Sequence, residues 1–223
     1  MRVFLPIILV LIVVGGIFYF KTSGDKMTEN TESSSPEIMG EEVSSEVSGN
    51  YTVDTNESNA KWTGSKKIVK DYYDNGTISI KSGNVMIEEG NISGGEIVFD
   101  MKSITTLSTG KGDGQDNLTK HLKSEDFFEV ETYGESTYKV TSSEKTADGY
   151  LLKGELTIKN KTNALDVPVK LVQQGENIAM SGKVEVNRAD FDVKFGSESF
   201  FDDLGDNVIN DIFTLEFMVV AKK

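Results

Sequence analysis

Few residues in this 223-residue chain could do chemistry, and two of them are singular: His121 is the sole histidine, and Arg188 is the sole arginine beyond Arg2. Cysteine is absent, which removes disulfides, thiolate metal centres, thiol catalysis and a cysteine-linked lipid anchor. A Ser–His–Asp triad would have to use His121, and no G-x-S-x-G elbow is present. One histidine also rules out a three-histidine metal site. For His121 the first reading is a structural hydrogen bond, the second a contact to the polar head of a ligand, and the third acid–base chemistry. Arg188 is always charged, so burying it demands a carboxylate, with Asp190, Asp126 or Asp192 available. The competing role is a clamp on a ligand's phosphate or carbonyl oxygen. No metal, cofactor or catalytic residue is expected. Lys111 to Asp116 has the composition of a calcium loop without its D-x-D-x-D-G spacing or terminal Glu, so it reads as an ordinary loop.

The elements that must position these residues follow from the chain's patterning. Val3 to Phe20 is an unbroken apolar run of 18 residues. As a helix it would span about 27 Å, enough for a bilayer core. No A-x-A-like site follows it, so residues 1–20 read as a retained single-pass transmembrane helix, with a cleaved signal segment and secretion as the alternative. Residues 21–49, rich in Ser, Glu, Thr and Asn, read as a disordered acidic linker. The domain at 50–223 would then lie outside the cytoplasm, in the periplasm or at the cell surface. The formal charge is −13, and −9 remains on residues 50–223 once Arg2, Lys21, Lys26 and the seven acids of the linker are set aside. Such a body repels phosphate backbones and carries no basic patch, which argues against a nucleic-acid partner.

From Tyr51 onward the hydrophobic pattern has period two. Ala60, Trp62 and Gly64 alternate with polar neighbours, as do Ile78 and Ile80; Ile97, Phe99 and Met101; Leu156 and Ile158; Val167, Val169 and Leu171; and Phe213, Leu215, Phe217 and Val219. Each segment has one apolar and one wet face, as half-buried antiparallel strands do. Turn signals fall at 74–76, 82–84, 93–95, Asp148-Gly149 and 174–176. Leu118 and Leu122, four apart behind a candidate cap at Asp116, predict one short helix over 116–123. Periodicity leaves a sandwich and an up-and-down barrel both open.

Several stretches, in order, resemble the YceI family of bacterial polyisoprenoid-binding domains. They are Tyr51-Thr52-Val53-Asp54 with Ala60-Lys61-Trp62-Thr63-Gly64; residues 94–104 (GGEIVFDMKSI); residues 121–128 (HLKSEDFF), the most specific; residues 154–158 (GELTI) with Thr162 and Val167-Pro168-Val169; and Asn187-Arg188-Ala189-Asp190-Phe191. Asp192 stands where this family often has glycine, and Phe200-Phe201 falls in a variant of its last loop. The resemblance covers about 51–221 and implies an all-β, lipocalin-like antiparallel barrel of about eight strands with one short helix. It further implies a long interior cavity for an isoprenoid or other long-chain lipid, such as an isoprenoid quinone. The inward set Trp62, Ile78, Ile80, Phe99, Met101, Leu156, Ile158, Val169, Val186, Phe191, Phe213, Leu215 and Phe217 would line that cavity, with Phe127 and Phe128 at its lid and His121 and Arg188 near a headgroup. Periodicity alone would equally allow the same set to fill a solid core.

Overall fold

The computed structural model describes residues 36–223. The proposed membrane helix over 1–20 and the first part of the linker, 21–35, lie outside the described residues. Among the described residues no helix is long and apolar enough to cross a membrane.

Nine strands form one antiparallel sheet closed on itself. They are β1 Gly49–Val53, β2 Asn59–Ser65, β3 Tyr73–Glu88, β4 Asn91–Ser108, β5 Glu135–Thr146, β6 Gly149–Ile158, β7 Lys161–Gln174, β8 Asn177–Asn187 and β9 Ile212–Lys222. β3 to β9 pair in sequence order, and β1 and β2 both lie between β3 and β9. β1 and β2 are therefore one stave interrupted at 54–58, and the barrel has eight staves, the size that can hold a single small ligand. At the interruption Asp54 accepts hydrogen bonds from the Asn56 and Glu57 amides and pairs with Lys222.

Inward positions alternate as the sequence reading required. Trp62 faces Leu215 across the β2–β9 ladder, while Lys61 and Glu216 occupy the next, outward pair. Glu216 also pairs with Lys183 of β8 at 3.1 Å. The expected turns divide into two groups. Asp148-Gly149 and 174–176 are hairpin turns, but 74–76, 82–84 and 93–95 lie inside β3 and β4. Those two strands are 16 and 18 residues long, with register shifts beside Ile80 and between Gly76 and Asn75. Glycine there permits close approach instead of reversal. A Cβ on Gly76 would sit 1.8 Å from the Thr105 carbonyl oxygen and 2.6 Å from the Trp62 indole nitrogen. The chain actually turns at Glu89-Gly90 and at Lys159-Asn160, where positive φ angles reverse it tightly.

The one α-helix among the described residues, α1, spans Gln115–Lys123. Its N-cap is Gly114, in the left-handed region with no side-chain cap, so Asp116 sits within the first turn and does not cap it as expected. A 3₁₀ turn covers Arg188–Phe191 and ends at Asp192 with φ 59°. That left-handed conformation explains why glycine suits the position, and aspartate tolerates it better than most residues.

The linker reading needs correction over 36–48. Glu41 exchanges two backbone hydrogen bonds with Gln173 at 3.0 and 2.7 Å, Ser181 Oγ donates to the Pro36 carbonyl at 2.7 Å, and Gly90 N donates to the Val47 carbonyl at 2.9 Å. Val43 is buried in the core, and Val47 packs against it. This strap crosses the barrel end that carries the β3–β4, β5–β6 and β7–β8 turns, and it closes that end. Its polar composition conceals the docking because backbone groups and two valines make many of the contacts, with Ser48 Oγ and Glu42 adding side-chain bonds to Glu89 N and Lys145.

Candidate functional site: a cavity at the open end of the barrel

The interior is packed at one end and hollow at the other. Toward the strap, Val85, Ile92, Ile97, Val140, Leu152 and Val167 leave a void of only about 50 Å³. Toward the opposite end lies a cavity of about 580 Å³. Phe99, Leu156, Val186 and Leu215 border both spaces and form the neck between them. The hollow end is bounded by the β2–β3 connection, α1 with the loop before it, the 124–134 segment and the long β8–β9 connection.

Of the residues expected on the cavity wall, Trp62, Ile78, Phe99, Met101, Phe127, Phe128, Leu156, Ile158, Val186, Phe213 and Leu215 are there. Phe217 borders the small void. Ile80, Val169 and Phe191 are buried but reach neither space. The two ends explain this difference. Period-two alternation says which residues point inward, but whether an inward residue meets a neighbour or empty space depends on its height in the barrel.

Phe127 and Phe128 are fixed wall residues and not a loose lid. Both are buried, with ring centroids 5.3 Å apart, edge to face. Phe128 N donates to the Leu122 carbonyl at the end of α1, and Lys159 Nζ donates to the Phe127 carbonyl. Leu118 and Leu122, the helix pair identified by spacing, complete this wall.

Arg188 is almost wholly buried, 2% exposed. Nε donates to the Asn210 carbonyl at 3.2 Å, Nη1 to those of Val193 and Phe195 at 2.8 and 2.9 Å, and Nη2 to that of Ile209 at 3.1 Å. Its ion-pair partner is Asp211, with Oδ1 3.1 Å from Nη2, and not Asp190, Asp126 or Asp192. That contact is an ion pair without the alignment of a hydrogen bond, since Oδ1 has no hydrogen-bonded partner. The other oxygen of Asp211 accepts from Ser197 and Ser199 at 2.9 and 2.7 Å. Burial pulls the guanidinium below its ordinary pKa while Asp211 opposes the shift; arginine nonetheless stays charged in proteins. Four of the five N–H groups of Arg188 are thus hydrogen-bonded to carbonyls at 193–210, and its Nη2 also faces Asp211, so the guanidinium is committed to holding this connection.

His121 is different. Nδ1 lies 3.7 Å from Asp126 Oδ2, beyond hydrogen-bond reach, and Nε2 is buried without any partner. The ring is held edge-on by Phe127 and Phe195, with centroids 5.7 and 4.4 Å away. Other polar groups on the deep wall are satisfied: Trp62 Nε1 donates to Thr105 O at 3.1 Å and Ser136 Oγ to Thr157 O at 2.8 Å. The wall therefore offers apolar contact almost throughout, plus one uncommitted imidazole nitrogen.

Sequence reasoning missed Ile104, Phe195 and Ile209 in the lining, and Tyr72 and Asp74 at the mouth. Burial and the neighbouring Asp74 raise the Tyr72 phenol above its ordinary pKa. Phe195 and Ile209 lie in an irregular connection that has no period to read, and Asp211 is found only once Arg188 is seen in place.

The sequence model of the YceI-like domain matches residues 51–221. A UPF0312 protein of Photorhabdus laumondii is 25% identical over 132 residues, 56% of this chain and 66% of that protein. Protein YceI of Escherichia coli is 27% identical over 103 residues, 43% of this chain and 53% of its own length, so the match spans only part of these relatives. The barrel superposes on the crystal structure of Burkholderia cenocepacia BcnA with a TM-score of 0.59 at 21% identity, covering 76% of this chain and 99% of that one. It superposes on a polyisoprenoid-binding domain from Saccharophagus degradans with a TM-score of 0.56 at 18% identity, covering 77% and 97%. These two likenesses concern the fold. With the domain matched from its first strand to its last, the chain belongs to the YceI-like family.

Proposed function

We propose that the barrel binds one long apolar lipid, a polyisoprenoid or isoprenoid quinone, and carries, stores or buffers it outside the cytoplasm without transforming it. The observation that carries this reading is the cavity of about 580 Å³, whose deep wall is aromatic and aliphatic and holds one buried polar atom without a hydrogen bond, His121 Nε2. Its volume is that of an ordinary small-molecule site. Each methylene taken from water contributes about 0.8 kcal/mol, so a few isoprene units offset the cost of association. The solved Saccharophagus degradans domain of the same fold is described as polyisoprenoid-binding, which supports the ligand class. The membrane anchor at residues 1–20 and the extracytoplasmic location belong to this proposal and rest on the sequence pattern.

His121 would hydrogen-bond the single oxygen of a headgroup, while Arg188 holds the loop above it. A binding role suits His121 better than turnover, because it has neither a hydrogen-bonded carboxylate nor a hydroxyl on Nε2. Native mass spectrometry of the full chain, released from membranes in mild detergent, should show a bound prenyl lipid. His121→Phe should weaken an oxygen-bearing prenyl ligand by about tenfold, one hydrogen bond's worth, yet leave a plain prenyl hydrocarbon unaffected. A chain that is always empty and takes up neither ligand refutes the proposal.

A further inference from the structure

We infer that the rim of the open end is a docking surface for a zwitterionic lipid bilayer, from which the cavity is loaded directly. This rests on the lipid-binding reading above and adds the partner that delivers the ligand. Ten large hydrophobic side chains are strongly exposed among the described residues, and eight of them sit at the mouth end, against Met39 and Met86 near the strap. An even scatter would mean nothing, but this clustering surrounds the mouth of the larger cavity. Ile68 is 59% exposed, Leu107 58%, Phe201 49% and Phe200 40%. Ile68 lies between Lys66 and Tyr72, which both border the cavity, and Leu107 precedes Thr109, which borders it as well. Phe200 and Phe201 follow Phe195 of the wall, and both of their amides donate to the Ser197 carbonyl.

These side chains stand on three separate segments around an opening, the β2–β3 connection, the end of β4 and the β8–β9 connection, which suits a fluid interface better than a peptide needing one continuous groove. The charges between them carry both signs. Lys67 pairs with Glu198, Lys194 lies over the Phe200 ring at 5.1 Å, Lys66 lies over the Tyr72 ring at 5.3 Å, and Asp202, Asp203 and Asp206 follow. Aromatic rings beside lysines whose stems lie along apolar surface are suited to the headgroup layer. The three aspartates make an anionic surface unfavourable and leave phosphatidylcholine as the fitting partner. A ligand insoluble in water then passes from acyl chains to cavity without crossing solvent.

The chain has no cysteine, so Phe201→Cys provides a unique thiol, and its sole tryptophan, Trp62, stands in the cavity wall. The full chain is reconstituted in phosphatidylcholine vesicles with a nitroxide at 201, or at 86 through Met86→Cys. The label at 201 should be shielded from an aqueous nickel chelate and open to oxygen, whereas the label at 86 stays in water. A benzoquinone with a farnesyl tail, added to the same vesicles, should quench Trp62. The Phe200→Ser, Phe201→Ser double variant should load about tenfold more slowly with the same final quenching, the factor expected from losing apolar contact by two half-buried rings. Equal chelate access at 201 and 86, or an unchanged loading rate with normal quenching, overturns the docking inference while the ligand reading stands. A wild-type chain that is never quenched but shields position 201 fails as a quinone binder while the docking holds. A protein partner in place of lipid would leave 201 in water on protein-free vesicles, which also overturns the inference.

Discussion

Replacing Arg188 with methionine separates a buried structural ion from a headgroup clamp. The change keeps the bulk of the side chain while removing four hydrogen bonds to the carbonyls of Val193, Phe195, Ile209 and Asn210 and the ion pair to Asp211. Breaking a buried pair by deleting one partner costs about 3–5 kcal/mol, because the remaining groups stay desolvated. Asp211 keeps Ser197 and Ser199, and water in the adjacent cavity can reach some of the carbonyls, so the lower half of that range applies, about 3–4 kcal/mol. For a domain of this size 1 kcal/mol moves the midpoint by roughly 2–4 °C, which gives a loss of about 6–16 °C. Urea unfolding of detergent-solubilised protein, followed by Trp62 emission, measures the free energy directly. Arg188→Lys should recover less than half, since one ammonium cannot reproduce the planar fork. If Arg188→Met instead unfolds within about 1 kcal/mol of wild type but no longer retains a prenyl ligand, the guanidinium acts on the ligand and the structural assignment is wrong.

Three further outcomes follow from the packing of the barrel. Ile158→Trp puts a large ring into the cavity and displaces two or three methylenes of ligand, so retention should weaken by about 2 kcal/mol, roughly 30-fold, at near-native stability; undiminished binding by calorimetry would mean the lipid sits elsewhere. The Tyr138 phenol, buried at the packed end and donating to Leu165 O at 3.0 Å, is raised above its ordinary value by burial and then by Asp166. Its neutral form is favoured by folding, so its contribution is full below about pH 10 and is lost as alkali ionises the unfolded chain first; Tyr138→Phe should flatten that alkaline decline in a urea–pH series, and an equally steep decline would contradict the assignment. Val43→Ser should cost about 1–2 kcal/mol and speed hydrogen exchange at the Gly90 and Gln173 amides, which donate to the strap; unchanged exchange would show that the strap is not held by its valine.

What the sequence determined by itself is everything that depends on local alternation and composition. Period-two patterning located the strands, and leucines four apart located α1, because a residue's face is fixed by its neighbours along the chain. An ordered series of short motifs pointed to the family that the whole-domain match then showed. Glycine was ambiguous: Gly76 and Gly95 permit close strand approach in β3 and β4, while Gly90 and Gly175 turn the chain, and only the partner strand distinguishes the two uses. Tertiary structure alone decided the partner of Arg188, 23 residues away at Asp211, the docking of residues 36–48, and the division of the interior into packed and hollow halves. The physical reason is common to all three. Ion-pair choice, strap docking and cavity volume are set by distances between segments remote in sequence, and periodicity carries no information about what stands across a space.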